Sequence, residues 1–124
     1  MESRNGNVNR ALAEKRGRRA EKIAATWLRL HGWRILAERV RTSNGEVDLI
    51  AKRRGMVAFV EVKARSRPED LDLAIDQHRL KRVAAAAEIL FPEYCPDGED
   101  ARIDVILVAP RRWPTHLTNV WHGF

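Results

Sequence analysis

Residues 46–64 read EVDLIAKRRGMVAFVEVKA, and this stretch decides how the chain folds. Two apolar runs, residues 46–52 and 56–64, are separated by Arg-Arg-Gly, a sequence typical of a tight turn. Short runs rich in β-branched and aromatic residues predict β-strands. Because so short a turn joins strands of opposite direction, the stretch predicts an antiparallel hairpin.

The sequence around the hairpin predicts a mixed α/β fold. A helix is predicted over residues 10–31, a strand over 33–40, a helix over 69–90 that Pro92 ends, and strands over 102–109 and 117–122. The apolar stripe of the first helix is formed by Ala20, Ile23, Ala24, Trp27 and Leu28. The order α-β-β-β-α-β(-β) therefore predicts an α/β architecture in which helices flank a mixed sheet.

Length, charge and cysteine content restrict the class of protein. A chain of 124 residues has the size of one domain, and we expect a flexible N-terminal arm at residues 1–9 and a single domain at 10–124. The net charge of +6 favours an anionic partner, nucleic acid ahead of a membrane. Cys95 is the one cysteine, which excludes an intrachain disulfide and a Cys-rich zinc site and favours a cytoplasmic location.

Charged residues lie within the apolar strands of the hairpin. Strict alternation places Glu61 and Lys63 on one face, about 6.6 Å apart along the strand, and Asp48 on the face opposite Val47 and Leu49. If the strands pair through the short turn, Asp48 comes near Glu61, and two close carboxylates repel each other unless a cation joins them. Mg²⁺ commonly binds one or two carboxylates, so the pattern indicates a magnesium site with Lys63 beside it. The alternative is a pair of edge-strand carboxylates that face solvent or arginines.

Two segments of the hairpin resemble the signature of PD-(D/E)XK nucleases: GEVDLIA at residues 45–51 and FVEVKAR at 59–65. Arg-Ile-Asp-Val at 102–105 and the closing Val-Trp-His-Gly-Phe resemble further segments of one group, the YraN family of predicted bacterial endonucleases. The resemblance covers most of the chain. It implies a restriction-endonuclease-like core, similar in fold to archaeal Holliday-junction resolvases.

The resemblance also implies a set of site residues. Asp48 and Glu61 would hold Mg²⁺ or Mn²⁺ together with the backbone carbonyl of Val62. Lys63 would assist the attacking water, and Glu21 would act through water or on a second ion. These assignments make Glu21, Asp48, Glu61 and Lys63 the expected catalytic residues.

Three observations bear on how far the resemblance extends along the helices. Glu21 has an ordinary interpretation as a charge on the flank of the first helix, paired with Arg18 or Lys22. Ala20 replaces the glycine that the family has before this glutamate. Asp76 stands where the family often has a lysine, which puts the phosphate contacts of the second helix in doubt and leaves the metal site unaffected.

The basic residues that we expect to contact nucleic-acid phosphates are Arg16, Arg18, Arg19, Arg53, Arg54, Arg65 and Arg67. The alternative is a solvated basic face. Trp27 and Trp33 are expected in the core, whereas Trp113 and Trp121 are candidates for base stacking. Asp104, inside an apolar strand, is expected to be a structural group with a hydrogen-bond partner.

Together these observations predict a metal-dependent endonuclease that hydrolyses phosphodiester bonds in DNA, branched DNA included. One alternative is a nucleic-acid-binding module with weak or no cleavage. Another is a protein-interaction domain that uses the acidic segments near Asp70 and Asp100. A homodimer would supply two matched cuts in a branched substrate, although no residue requires one. The histidine spacing does not match a zinc hydrolase, and there is no Gly-rich phosphate loop.

Overall fold

The computed structural model describes residues 2–67 and 76–123, with side chains from residue 8 onward. The elements in chain order are α1 (Glu2–Leu30), β1 (Arg34–Arg41), β2 (Glu46–Arg53), β3 (Met56–Ala64), α2 (Gln77–Tyr94), β4 (Asp100–Val108) and β5 (Thr115–Leu117). The strands form one sheet in the order β1-β2-β3-β4-β5, in which β3 and β4 pair in parallel and the other neighbours are antiparallel. The predicted mixed sheet with flanking helices is confirmed.

Alternating side chains of the central strands build a separate apolar core on each face of the sheet. Val57 and Phe59 of β3 pack in the core that includes α2, whereas Ala58 and Val60 pack in the core that includes α1. From α1, the buried residues Ala20, Ala24, Ala25 and Leu28 complete that second core. A strand buried on both faces loses water from every side chain, which is why β3 contains so few polar residues.

The ends of several elements differ from the sequence-based expectations. The helix α1 begins at Glu2 instead of residue 10; the predicted arm at residues 1–9 is a statement about motion and stays a prediction. The predicted start of the second helix, residue 69, lies outside the described residues. Pro92 does not end α2, which continues to Tyr94, because a proline near the C-terminal end removes only one helical hydrogen bond. The last strand, Thr115–Leu117, is shorter and earlier than predicted.

The predicted alternation along β2 is wrong at Val47. This residue packs in the α2 core, whereas Leu49 packs in the α1 core. Glu38 pairs with Leu49 and Val40 with Val47, so Arg39 lies opposite Asp48, and Arg39 has a left-handed φ of 53°. An irregular residue breaks the regular two-residue repeat of a strand. The pairing of β1 with β2 also shifts by one residue between Ile35 and Ala37, so β1 departs from a regular strand at two places.

The predicted apolar stripe of α1 is wrong at Ile23, which is exposed. Trp33 is buried as predicted, and Trp27 is half-buried. Within the described part of the chain, neither helix combines the length and the apolar character needed to cross a bilayer.

Candidate functional site

The central strand β3 places Glu61 inside the α2 side of the sheet, 2 % exposed. Its Oε1 lies 3.1 Å from Nζ of Lys63, on the same strand, and 3.0 Å from Nη2 of Arg79, on the first turns of α2. Neither contact has the geometry of a hydrogen bond, and no other described residue donates one to this oxygen. Glu61 is thus a buried carboxylate with positive charge nearby but without a donor aimed at Oε1.

Asp48 lies against the same strand and is 9 % exposed. The paired residues of β2 and β3 begin at Leu49 and Val60, and the backbone N–H of Val62 donates to Oδ2 of Asp48 over 2.8 Å. Burial raises the pKa of Asp48 to about 7; repulsion from Glu61 adds to this rise and the bond from Val62 opposes it. The structure therefore brings together the two carboxylates and the lysine that the hairpin pattern selected.

Glu21 reaches this region from α1, but an arginine holds its carboxylate. Nε of Arg39 donates to Oε2 of Glu21 over 2.7 Å, and this hydrogen bond raises the pKa of Arg39. The charge of Glu21 contributes to the raised pKa of Asp48, so the two carboxylates interact electrostatically. Neither Arg18 nor Lys22, the partners considered from sequence, is bonded to Glu21 among the described contacts; Arg18 contacts Glu14.

Sequence reasoning missed Arg39 and Arg79. Arg79 lies one helical turn before the buried Val83, on the flank of the stripe that faces the sheet, and this spacing was a usable signal. Arg39 gave no such signal, because its position depends on its left-handed backbone conformation. Asp76, a departure from the family pattern, caps α2 by accepting a hydrogen bond from the N–H of His78 over 2.9 Å.

The predicted phosphate-contacting arginines fall into separate groups. Arg53 and Arg54 lie at the β2–β3 turn, and Met56 to Glu61 is five residues of strand, about 17 Å. The guanidinium of Arg53 stacks 4.6 Å from the ring centre of Trp33 and donates to a backbone oxygen at the end of α1. These two arginines are therefore far from the carboxylates.

The remaining predicted arginines lie just after β3 or on α1, closer in sequence to Lys63 or Glu21. Arg65 follows the end of β3, two residues after Lys63, and donates to the carbonyl of Ala64. Arg67 lies two residues further along. The side chains of Arg16, Arg18 and Arg19 are exposed on α1, two to five residues before Glu21.

The described residues contain no group of three or more His, Cys, Asp or Glu side chains that could hold a metal ion. Asp48 and Glu61 are two carboxylates on the neighbouring strands β2 and β3, and Val62, whose carbonyl the resemblance implies as a third ligand, follows Glu61 on β3. Mg²⁺ retains several waters and binds proteins through one or two carboxylates, so it fits such a pair. An under-bonded buried carboxylate oxygen is also the group that a hard cation prefers.

Comparison with known proteins assigns the chain to a family. The model of "Uncharacterised protein family UPF0102" matches residues 20–108, from Ala20, the first buried residue among the described side chains of α1, to the end of β4. The chain belongs to the UPF0102 family. This is the YraN family that the hairpin motifs resemble. The matched range includes Glu21, Asp48, Glu61 and Lys63, the four expected catalytic residues.

UPF0102 relatives resemble the chain over nearly their full length. A UPF0102 protein of Sphingopyxis alaskensis is 62 % identical over 114 residues, which is 92 % of this chain and 98 % of the relative. One from Mesorhizobium japonicum is 43 % identical over 118 residues, 94 % of each chain.

Among solved structures, Hjc of Archaeoglobus fulgidus, a Holliday junction resolvase, resembles the UPF0102 chain. The match has a TM-score of 0.58 at 19 % identity and covers 81 % of this chain and 73 % of the resolvase. The predicted restriction-endonuclease-like fold is thereby confirmed.

Proposed function

We propose that the chain is a metal-dependent endonuclease that hydrolyses phosphodiester bonds in DNA, branched DNA included. The observation that carries the proposal is the buried pair Asp48 and Glu61 with Lys63 beside it. Two carboxylates in a low-dielectric site destabilise the fold unless a cation or a proton neutralises them. Such an arrangement is typical of functional sites and rare in ordinary cores.

The proposed cofactor is Mg²⁺ or Mn²⁺, held by Asp48, Glu61 and the carbonyl of Val62. When bound, a divalent ion of this kind lowers the pKa of a coordinated water and offsets negative charge on the phosphate. The N–H of Val62 already fixes one oxygen of Asp48, so this carboxylate is oriented before any ligand arrives. Preorganisation of this kind reduces the rearrangement that the reaction requires.

The protein's own cations would act on the phosphate and the attacking water. Nζ of Lys63 lies 3.1 Å from Glu61, close enough to donate a hydrogen bond to a water beside that carboxylate. Arg79, half exposed above the same oxygen, is placed to meet a phosphate oxygen. Glu21, held by Arg39, would act through a water molecule rather than directly.

The partner is proposed to be DNA, reached through sequence-independent phosphate contacts. The chain carries a net charge of +6. Exposed arginines lie on α1, and the half-buried Arg65 and the exposed Arg67 follow β3. Contacts between arginines and phosphates release counterions, so binding should weaken steeply as salt increases. A homodimer and a cytoplasmic location belong to the same proposal; two copies could cut both strands of a branched substrate.

The test is cleavage of a labelled panel: duplex, single strand, flap and four-way junction. Each is incubated with Mg²⁺, Mn²⁺ or EDTA. We expect metal-dependent cutting that Asp48→Ala and Lys63→Ala abolish. Glu88→Gln and Lys81→Ala, which change exposed residues of α2, serve as matched controls and should cut normally. Cutting by purified Asp48→Ala at the wild-type rate would overturn the proposal.

A second candidate function is nucleic-acid binding without efficient cleavage. It is favoured by one observation: Lys63 and Arg79 both lie beside Glu61, and a pKa near 7 lets Asp48 take up a proton. Both carboxylates can thus be neutralised without an ion. Tight, salt-sensitive binding that neither Mg²⁺ nor Glu61→Gln changes, with no cutting, would support this candidate.

A further inference from the structure

Trp113 and Trp27 form an aromatic cluster on the outer side of α1, away from the candidate catalytic residues. Trp113 belongs to the connection between β4 and β5 and is 77 % exposed. Its ring centre lies 6.1 Å from that of Trp27, and Trp27 lies 4.0 Å from the ring of His31. We define the tryptophan surface as Ile23, Trp27, Leu30, Trp113 and Pro114, which line a shallow cavity of about 300 Å³.

Two cations border the tryptophan surface without an acidic counterpart. Arg19 and Lys22 line the same cavity, and no acidic residue is among its described lining. Neither cation forms an ion pair with any residue that the structure describes. The nearest acid in sequence, Glu21, is bonded to Arg39. The surface therefore joins one exposed and one half-buried indole ring to positive charge without a described acidic partner.

A single nucleotide carries both groups that fit this surface: a base that can stack on an aromatic ring and a phosphate that can bind a cation. Every base has a π-face that can stack on an exposed indole, and its phosphate is an acceptor for arginine and lysine. An apolar protein segment would cover the rings but would leave Arg19 and Lys22 without a counter-charge. Bases inside a duplex are already stacked on both faces, so an unpaired base offers the free face that Trp113 needs, as the last base of a duplex end also does.

We propose that the tryptophan surface binds an unpaired nucleobase of a single-stranded segment, with the adjoining phosphates on Arg19 and Lys22. This inference rests on the proposed function for the identity of the ligand as nucleic acid, and it narrows the substrate to one with an unpaired strand. Trp27 follows Glu21 by six residues, about 9 Å along the helix axis. The tryptophan surface therefore shares α1 with Glu21 but lies on another side of the helix, since six residues turn it by about 600°.

The test compares binding of two oligonucleotides of equal length, an oligothymidylate and an abasic strand, by fluorescence anisotropy in EDTA at fixed salt. We expect Trp113→Ala to weaken binding of the oligothymidylate about 5- to 150-fold and to leave the abasic strand unaffected. Trp113→Phe should retain most of the affinity. Phe91→Ala, which removes an exposed aromatic ring from α2, is the matched control and should bind both strands normally.

Several outcomes would overturn the inference. Equal losses for both strands, or no loss for either, would show that Trp113 does not stack on a base. A change of oligomeric state in Trp113→Ala, seen by sedimentation and without an effect on base-dependent binding, would assign the surface to a second copy of the chain. Wild-type protein that binds neither strand nor the junction would overturn the proposed function as well, whereas metal-dependent cutting with base-independent binding would overturn this inference alone.

Discussion

Two buried acidic sites lie on neighbouring strands of the sheet, on opposite faces, and have opposite electrostatic environments. Asp104 on β4 pairs with Val60, and Glu61 on β3 pairs with Val105, on adjacent parallel strands. Asp104 is fully buried, and burial alone would raise its pKa; three hydrogen-bond donors outweigh that effect and lower it. Asp48, beside Glu61, has a pKa raised to about 7.

The difference lies in how many donors the protein supplies. Asp104 accepts from Nε of Arg102 at 3.0 Å, from Nε2 of His116 at 2.8 Å and from the N–H of Asn119 at 2.9 Å. Asp48 accepts one backbone hydrogen bond, from Val62. A buried carboxylate with its donors in place stabilises the fold, whereas an under-bonded pair destabilises it. The comparison separates a structural acid from a candidate functional one.

The largest expected effect tests whether Glu61 acts in chemistry or in folding. Glu61→Gln should lower the rate of metal-dependent cleavage by about 1,000-fold or more, because a neutral amide is a poor ligand for a divalent ion. Single-turnover cleavage of the preferred panel substrate measures the rate. DNA affinity in EDTA should change little. If Glu61→Gln unfolded the protein and left the activity of the folded fraction intact, Glu61 would be a structural acid like Asp104.

Removal of the structural acid should reduce stability strongly. Asp104→Ala should lower the free energy of unfolding by about 3–5 kcal/mol, because Arg102 and His116 then remain partly buried without their acceptor. Urea unfolding measures this change. Glu88→Ala, an exposed acid on α2, should stay within about 0.5 kcal/mol of the wild type. A loss below about 1 kcal/mol in Asp104→Ala would remove the distinction between the two sites.

Urea unfolding should show a gain in stability, instead of a loss, when the charge of Asp48 is removed. In EDTA at pH 8, Asp48→Asn should be about 2–4 kcal/mol more stable than the wild type, because it removes a buried charge that Glu61 repels. The amide oxygen can still accept from Val62. Since the folded pKa of Asp48 lies above its unfolded value, the folded state binds more protons, and wild-type stability falls as the pH rises from about 4 to about 7. The advantage of the variant should therefore grow across that window and vanish below it.

Two results would contradict this prediction. An Asp48→Asn variant less stable than the wild type at pH 8 would show that the carboxylate is satisfied in the folded state. A stability difference that stays constant between pH 4 and pH 8 would show that Asp48 does not titrate there. Addition of Mg²⁺ should stabilise the wild type but not the variant, since ligand binding to the folded state adds to its stability.

Local sequence pattern was sufficient to predict the first four strands and to bring Asp48 near Glu61. It also predicted Asp104, a charged residue in an apolar strand, as a structural acid with hydrogen-bond partners. Contacts between distant segments were not predictable in the same way. Arg39 meets Glu21 only because its backbone adopts a left-handed conformation, and Arg79 meets Glu61 only because α2 packs across the sheet. The misplaced Val47 has the same origin, because a two-residue repeat assumes a regular strand.

The parallel pairing of β3 with β4 has a consequence for the order of events during synthesis. Each residue of β3 pairs with a residue 44 positions later, from Met56 with Asp100 to Ala64 with Val108. At about 5–20 residues per second, the ribosome makes the partner strand roughly 2–9 s after β3. During that interval the segment that carries Glu61 and Lys63 lacks one of its two neighbours. A nascent chain therefore cannot pair β3 on both sides before β4 has been made, so the strand that carries these two residues keeps one edge open for those seconds.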